Sequence, residues 1–315
     1  MAEQHLGISL RGDHGLRVTN LVRDPAFVSY LTSGQYDSPL EFRPMARPNL
    51  ALEIRVIEVE RTRLMVLSRD ITQREQVDAM RRDFIANVSH ELRTPLTVVN
   101  GFMEVLLDAK HADEATRMHH LRLMQEQAQR MSRLVEDLLT LSRLESSESS
   151  LVDEIVDVQL LMREVADEAR ALSGGRHSVE VKPASAFLRG NREELRSAFG
   201  NMVSNAVRYT PDGGRITLAW HPEPDGGGSF RVADTGIGVA QEHIARLTER
   251  FYRVDKSRSR ETGGTGLGLA IVKHVLLRHD ARLEVTSEVG MGSTFAAVFP
   301  ASRMSAAAPL PAPTA

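Results

Sequence analysis

Two long stretches, residues 73–108 and 114–144, repeat apolar side chains every three or four positions, the second through Leu121, Met124, Ala128, Met131, Val135 and Leu138. That spacing lines one face of an α-helix. A short polar loop between two such helices makes an antiparallel helical hairpin. Each helix carries a seam that one partner helix cannot fully cover, so the hairpin needs a further apolar surface. A second hairpin completing a four-helix bundle, and hence a homodimer, is the natural solution. The alternative is packing against another domain of the same chain.

Within the first stretch, the run FIANVSHELRTPLTVVNGF places a histidine against the pattern. At 100° per residue Phe84, Val88, Leu92, Leu96, Val99, Met103 and Leu106 share one face, while His90 points away from it, toward solvent. Glu91 is adjacent, and Thr94 lies one turn on along the face of His90. Pro95 removes the amide that the carbonyl of Glu91 would accept, so a bend or loosening is expected beside the histidine. A lone histidine here would be a surface residue; His90 with Glu91, Thr94 and Pro95 is a candidate reactive group.

The chain has 315 residues, which predicts two or three domains. With 42% apolar and 26% charged residues it can bury a core. Its 39 basic and 42 acidic side chains give a net charge of −3, so there is no general case for direct nucleic-acid binding. The absence of cysteine excludes disulfides and thiolate metal sites and fits a reducing compartment. No stretch reaches the roughly 18 to 20 apolar residues that cross a bilayer, and no signal-peptide pattern follows Met1. The chain as written is expected to be cytoplasmic.

Ahead of the helices, residues 51–59 and 62–68 alternate apolar and polar positions around a polar break, which predicts an antiparallel β-hairpin. Pro25, Pro39, Pro44 and Pro48 interrupt any longer element before it. After residues 145–150, rich in serine and glutamate and read as a hinge, helical patterns at 159–171, 192–208 and 265–279 alternate with strands at 178–182, 215–221, 229–233, 282–287 and 294–299. These predict an α/β sandwich with helices on one face of a mixed sheet. Residues 222–228 read as a hairpin loop. The Ala/Pro-rich end, 303–315, reads as a disordered tail.

The sandwich carries candidate nucleotide chemistry. Asn201 and Asn205 are four apart on one helix face, where their amide oxygens can converge on a cation. Magnesium takes about six oxygens, many from water and phosphate, so neutral amides beside a triphosphate suffice. Asp234 ends a strand before Gly236 and Gly238, where a carboxylate can accept the exocyclic amine of adenine. Gly263, Gly264, Gly266 and Gly268 precede a helix; such a run either cradles phosphate or serves only as a helix entry. It lacks the ending of a P-loop and the context of a dinucleotide fingerprint.

HELRTPL resembles the phospho-acceptor motif of the HisKA-type sensor histidine kinases. In order, the Asn helix, DTGIG, FYRVDKSRSR, GGTGLG and GMGST resemble the N, G1, F, G2 and G3 boxes of the histidine-kinase ATP-binding domain, in the superfamily of gyrase and the Hsp90 chaperone. Residues 69–72, RDIT, resemble the exit of a PAS sensor domain, although the opening strands of such a domain are missing. DITQ, FIANVSHELRTPLTV, LTERFYRVDKSRS and GGTGLGLAIVKH are most similar to the phosphate-regulon sensor kinases.

The resemblance implies a multidomain α+β protein. A partial PAS-like domain would occupy residues 1–72, a dimeric antiparallel four-helix bundle for dimerisation and phosphotransfer 73–146, and an ATP-binding α/β sandwich 147–302. It implies ATP and Mg2+ as cofactors, with Asn205 and Asn201 on the metal and Arg208 on phosphate in place of the lysine of many relatives. Tyr209 would pack on adenine and Asp234 bind its amine. Arg253, Lys256 and Arg258 fall in the mobile lid. Gly236, Gly238, Gly264, Thr265, Gly266, Leu267, Gly268 and Thr294 complete the nucleotide-binding set.

The implied reaction is autophosphorylation of His90 with Glu91 as proton acceptor, transfer to an aspartate on the receiver domain of a response regulator, expected to be that of the phosphate regulon, and dephosphorylation of that regulator through Thr94. Relatives carry membrane segments ahead of the PAS domain, so the expectation is a truncated start or a cytoplasmic form, with a marginal N-terminal sheet whose core is partly uncovered. An ATPase of the same superfamily would not need His90, and a silent dimeric scaffold would not need the nucleotide residues. The input signal, the regulator's identity and the choice between cis and trans phosphorylation stay open.

Overall fold

A computed structural model describes residues 2–9, 11–60, 63–108, 113–145, 153–254 and 264–306. The chain divides into two compact units, Met1–Ser89 and His90–Ala315.

In the first unit, α1 (Ala2–Leu6), α2 (Val18–Leu21) and α3 (Pro25–Ser33) precede an antiparallel sheet of order β1-β2-β3, formed by β1 (Leu40–Phe42), β2 (Leu52–Glu60) and β3 (Arg63–Asp70). Asp24 starts α3 by accepting the amide of Ala26 at 3.0 Å, and Pro25 takes a first-turn position where no amide is needed. The expected hairpin is present: Leu52, Ile54 and Val56 alternate onto one face and join Val22, Phe27 and Phe42 in a buried core. Phe27 and Phe42 stack at 5.9 Å. Val22 and Phe27 cover the face that carries Leu52, Ile54 and Val56, while Ile57, Val59, Met65 and Leu67 of the same hairpin stay exposed.

The exit from that sheet is held by one main-chain bond and two bonds from main-chain amides to side chains. Ile71 donates to the carbonyl of Ala51, the hydroxyl of Thr72 accepts the amide of Ala51, and Asp70 Oδ1 accepts the amide of Thr72, each at 2.9 Å. Asp70 thus initiates α4 (Thr72–Asp108), one residue before the expected start. The helix continues through Pro95.

In the second unit, α4 pairs with α5 (Glu114–Glu145). Glu91 meets Arg130 at 2.9 Å and the rings of Phe102 and His120 lie 4.9 Å apart, so later residues of α4 face earlier residues of α5 and the hairpin is antiparallel. The chain continues through β4 (Glu154–Asp157), α6 (Val158–Ser173), β5 (Ser178–Val181), β6 (Phe187–Gly190), α7 (Arg192–Tyr209), β7 (Arg215–Pro222), β8 (Gly228–Asp234), α8 (Gln241–Ile244), α9 (Gly268–Arg278), β9 (Arg282–Glu288), β10 (Gly292–Phe299) and β11 (Met304–Ser305). Asp157 and Asn191 cap α6 and α7, each accepting an amide of the first turn at 3.0 Å.

The main sheet has the order β5-β7-β8-β10-β9; β5 and β7 are parallel and the other pairs antiparallel. Helices α6, α7 and α9 pack on it around one core in which Phe199 stacks on Phe230 at 4.0 Å. Three expectations need correction. A second small sheet, β11-β6-β4, was not foreseen, because EIVD and FLRG lack a polar–apolar alternation. The tail begins later than expected, since Met304 and Ser305 pair with Leu188 and Phe187; residues 307–315 lie outside the described residues. The last helix begins at Gly268 rather than at residue 265, as glycines at 264 and 266 disfavour helix. Among the described residues no helix is long and apolar enough to cross a membrane.

Candidate functional site

Helix α7 ends at one wall of a cleft in the second unit, and Asn205, Arg208 and Tyr209 line it from the last turn. Asp234 lines the same cleft from the end of β8, where pairing with Ile216 and Ser293 fixes the strand. Gly238, Arg253, Gly264, Thr265, Gly266 and Gly268 complete the predicted part of the lining. Residues separated in sequence by more than sixty positions thus meet where the sequence reading expects them. The cleft is largely apolar, walled by Ile237, Val239, Leu247, Tyr252, Leu269 and Phe295, as suits a flat base between a few placed polar groups.

Asp234 Oδ1 accepts the amide of Gly236 at 2.8 Å, which orients the carboxyl at the cleft wall. Burial pushes its pKa up, while the main-chain bonds from Gly236 and Ser293 oppose the rise. Gly236 therefore acts from behind Asp234 and does not line the cleft. Gly238 has φ +67°, and a Cβ there would fall 1.9 Å from the carbonyl oxygen of Glu288, so glycine is required on both counts.

Four predicted positions are placed elsewhere. The Nδ2 group of Asn201 donates to the Ser197 carbonyl at 2.9 Å, and its Oδ1 abuts Gly268, where a Cβ would approach within 2.5 Å. Asn201 thus seats α7 against the start of α9 and does not line the cleft. Leu267 is fully buried in the core. Thr294 is turned away because strand residues alternate, with Ser293 and Phe295 on the cleft side of β10. Gly236 is the fourth. Lys256 and Arg258 lie outside the described residues. The missed wall residues carry a faint sequence signal: Ser293 and Phe295 flank the expected Thr294 at strand spacing.

Arg208 and Arg253 put positive charge into the cleft. Burial pushes both guanidinium pKa values down; Arg133 adds to the effect at Arg208, whereas Glu91 opposes it at Arg253. Arg253 is 7% exposed and donates to the Gly264 carbonyl and, at 3.3 Å, to Glu91 Oε2. Arg130 of α5 reaches the same Glu91 oxygen at 2.9 Å. Phe251, just before this stretch, has φ +62°, uncommon for a bulky residue, and its amide donates to the Gly266 carbonyl at 2.8 Å.

His90 is exposed on α4, as its position opposite the apolar stripe predicts. Its carbonyl accepts the hydroxyl of Thr94 at 3.2 Å, and Glu91 links the same turn of α4 to the cleft through Arg253. Among the described residues no group of three or more histidine, aspartate or glutamate side chains is arranged to hold a metal. A divalent cation would rely on Asn205, water and oxygens of the nucleotide itself, a donor set that fits magnesium.

Comparison with known proteins agrees with this geometry. Residues 80–147 match the His Kinase A (phospho-acceptor) domain, and residues 190–303 match the histidine kinase-, DNA gyrase B- and HSP90-like ATPase family. The chain is 47% identical over 300 residues to the phosphate regulon sensor protein PhoR of Pseudomonas aeruginosa, covering 95% of this chain and 68% of that protein. It is 36% identical over 270 residues to the PhoR protein of Haemophilus influenzae, covering 84% of this chain and 62% of that protein. The structure of full-length ShkA in complex with AMPPNP superposes with a TM-score of 0.52 at 31% identity, covering 72% of this chain and 47% of that one.

Proposed function

Since the chain belongs to the two-component sensor histidine kinases, we propose that its phospho-acceptor is His90 and that the cleft lined by Asn205, Arg208, Asp234 and Arg253 presents ATP to it. The observation that carries this reading is the link from Glu91, the neighbour of the exposed histidine, to Arg253 in the cleft wall. One side chain connects the acceptor turn with the nucleotide site.

In the reaction, a ring nitrogen of His90 attacks the γ-phosphorus of ATP, the bond from that phosphorus to the bridging β–γ oxygen breaks, and ADP leaves. Glu91 accepts or orients the ring proton once Arg253 has exchanged the carboxylate for phosphate oxygens. Asp234 accepts the adenine amine, Tyr209 packs on the base, and Asn205 would hold a bound magnesium through its amide oxygen. Arg208 and Arg253 hold the phosphates. Bound magnesium supplies neutralisation of the charge that develops in transfer. The phosphoryl group then passes to a receiver-domain aspartate, and Thr94 orients water for the reverse dephosphorylation.

The names of the two PhoR relatives support phosphate limitation as the signalling context and the phosphate-regulon regulator as partner. Exposed Leu96, Met103, Leu121, Val135 and Leu139 on α4 and α5 support closure of the hairpin into a homodimeric bundle. The two family matches support a phosphotransfer domain at 73–146 followed by an ATP-binding domain from 147. The resemblance of residues 69–72 to a PAS exit makes the first 72 residues the candidate input segment.

The test is His90→Ala. Incubated with γ-labelled ATP, the wild type should take up acid-labile, alkali-stable label, and the variant should take up none while binding ATP within about twofold of wild type. Acid-stable label, or label persisting in the variant, would sink the assignment.

A further inference from the structure

Helix α5 carries a carboxylate that the reaction above does not use. Asp137 Oδ2 accepts the hydroxyl of Thr265 at 2.7 Å, and Thr265 lines the nucleotide cleft beside Arg208. Burial pushes the Asp137 carboxyl up, opposed by that hydroxyl and by the charges of Arg208 and Arg133. An anion from the phosphotransfer hairpin therefore sits among the groups that would take phosphate. Glu91 does the same on the other side, engaging Arg253 at 3.3 Å. Arg253 is thus paired with a carboxylate of α4, and Arg208 lies within electrostatic reach of one on α5.

Phosphate oxygens and carboxylate oxygens compete for the same donors, since both are compact anions recognised by hydroxyls and guanidinium groups. Two anions crowded onto one cluster of cations also repel each other in a medium less polarisable than water. Asp137 has somewhere to go when displaced: Arg133 lies four residues earlier on the same helix, the spacing of a helical ion pair.

We propose that Asp137 is a nucleotide-affinity-determining residue, an intramolecular anion that holds Thr265 and faces Arg208 until the phosphates of ATP displace it. The proposal rests on the reading of the cleft as an ATP site. Loading of a triphosphate is then coupled to loosening of the cleft from α5, whereas a ligand without phosphates leaves the contact intact. The coupling is reciprocal: whatever pulls α5 away from Thr265 raises affinity for ATP.

The full chain and its Asp137→Asn variant are titrated with ATP, ADP and adenosine in the presence of magnesium. Asparagine keeps the shape and an acceptor for Thr265 but removes the charge. The variant should bind ATP about tenfold more tightly, a change of about 1.4 kcal/mol, ADP by a smaller factor, and adenosine with wild-type affinity. Unchanged or weaker ATP binding, or an equal gain for adenosine, overturns the proposal. Hydrogen exchange on the wild type gives a second measurement free of substitution: amides near Thr265 and in the turn of α5 around Asp137 should lose protection with ATP and not with adenosine, and no difference between the ligands also overturns it. A wild-type chain that binds neither ligand instead removes the nucleotide reading of the cleft.

Discussion

The hydroxyl of Thr94 donates to the main-chain carbonyl of His90 at 3.2 Å, one helical turn away on the same exposed face. The hydroxyl is anchored to the main chain of His90 and not to its ring. Thr94→Ala should therefore leave autophosphorylation within about twofold of wild type and slow dephosphorylation of the regulator by roughly tenfold or more, the size of a lost water-positioning contact. Alanine is a better helix former than threonine, so α4 itself should not suffer. Parallel loss of both activities would show that Thr94 serves the fold of the helix instead.

Asn205 and Asp234 face one cleft but different parts of a nucleotide. Asn205→Ala should weaken ATP binding only when magnesium is present, whereas Asp234→Ala should weaken it with or without the metal and should weaken adenosine too. Each loss should be roughly tenfold, as expected when a polar contact worth about 1.4 kcal/mol disappears. Calorimetric titration in magnesium and in chelator separates the two; identical profiles would merge their roles.

Asp234 should also make the empty cleft sensitive to pH. Burial raises its folded pKa above the unfolded value of about 3.9, so ionisation costs stability, fully above the folded pKa and not at all below the unfolded one. Asp234→Asn, which retains an acceptor for the amide of Gly236, should raise the thermal midpoint of the ligand-free chain at neutral pH. That advantage should shrink as pH falls through the raised folded pKa toward about 3.9. An advantage that grows in acid contradicts the sign of the effect.

Gly238→Ala tests how closely the turn at the cleft wall approaches β9. The added methyl would lie 1.9 Å from the Glu288 carbonyl at a backbone angle of +67°, so about 3 kcal/mol of stability should be lost, together with nucleotide binding. Chemical denaturation measures the first and titration the second. Wild-type stability would mean that β9 can retreat from the turn.

Much of this was legible from spacing. The two long helices follow from a 3.6-residue period sustained over eight or more turns, and the hairpin of β2 and β3 from clean alternation. Five strands of the main sheet were readable for the same reason. The strands β4, β6 and β11 were not: β11 has two residues, and EIVD and FLRG lack the polar–apolar alternation that marks SVEV in the equally short β5. At the cleft, Asn205, Arg208 and Asp234 were legible as candidates through their boxes and do line one cavity, whereas Asn201 and Leu267 belong to packing that no spacing reveals. Asp137 and Arg130 left no sequence signal at all: each is one charged residue among many on α5, and only the tertiary fold gives it a partner.

Leu134, Leu141 and Leu144 of α5 belong to the same apolar cluster as Ile271 and Val275 of α9, so the ATP-binding layer rests on the phosphotransfer hairpin through oil-like contact as well as through ions. Apolar contact of this kind weakens on cooling and carries a heat-capacity change when it opens. The seat between α5 and α9 is therefore a thermal joint: cold weakens the apolar part of its hold, and warmth strengthens it up to the point where the domain itself melts.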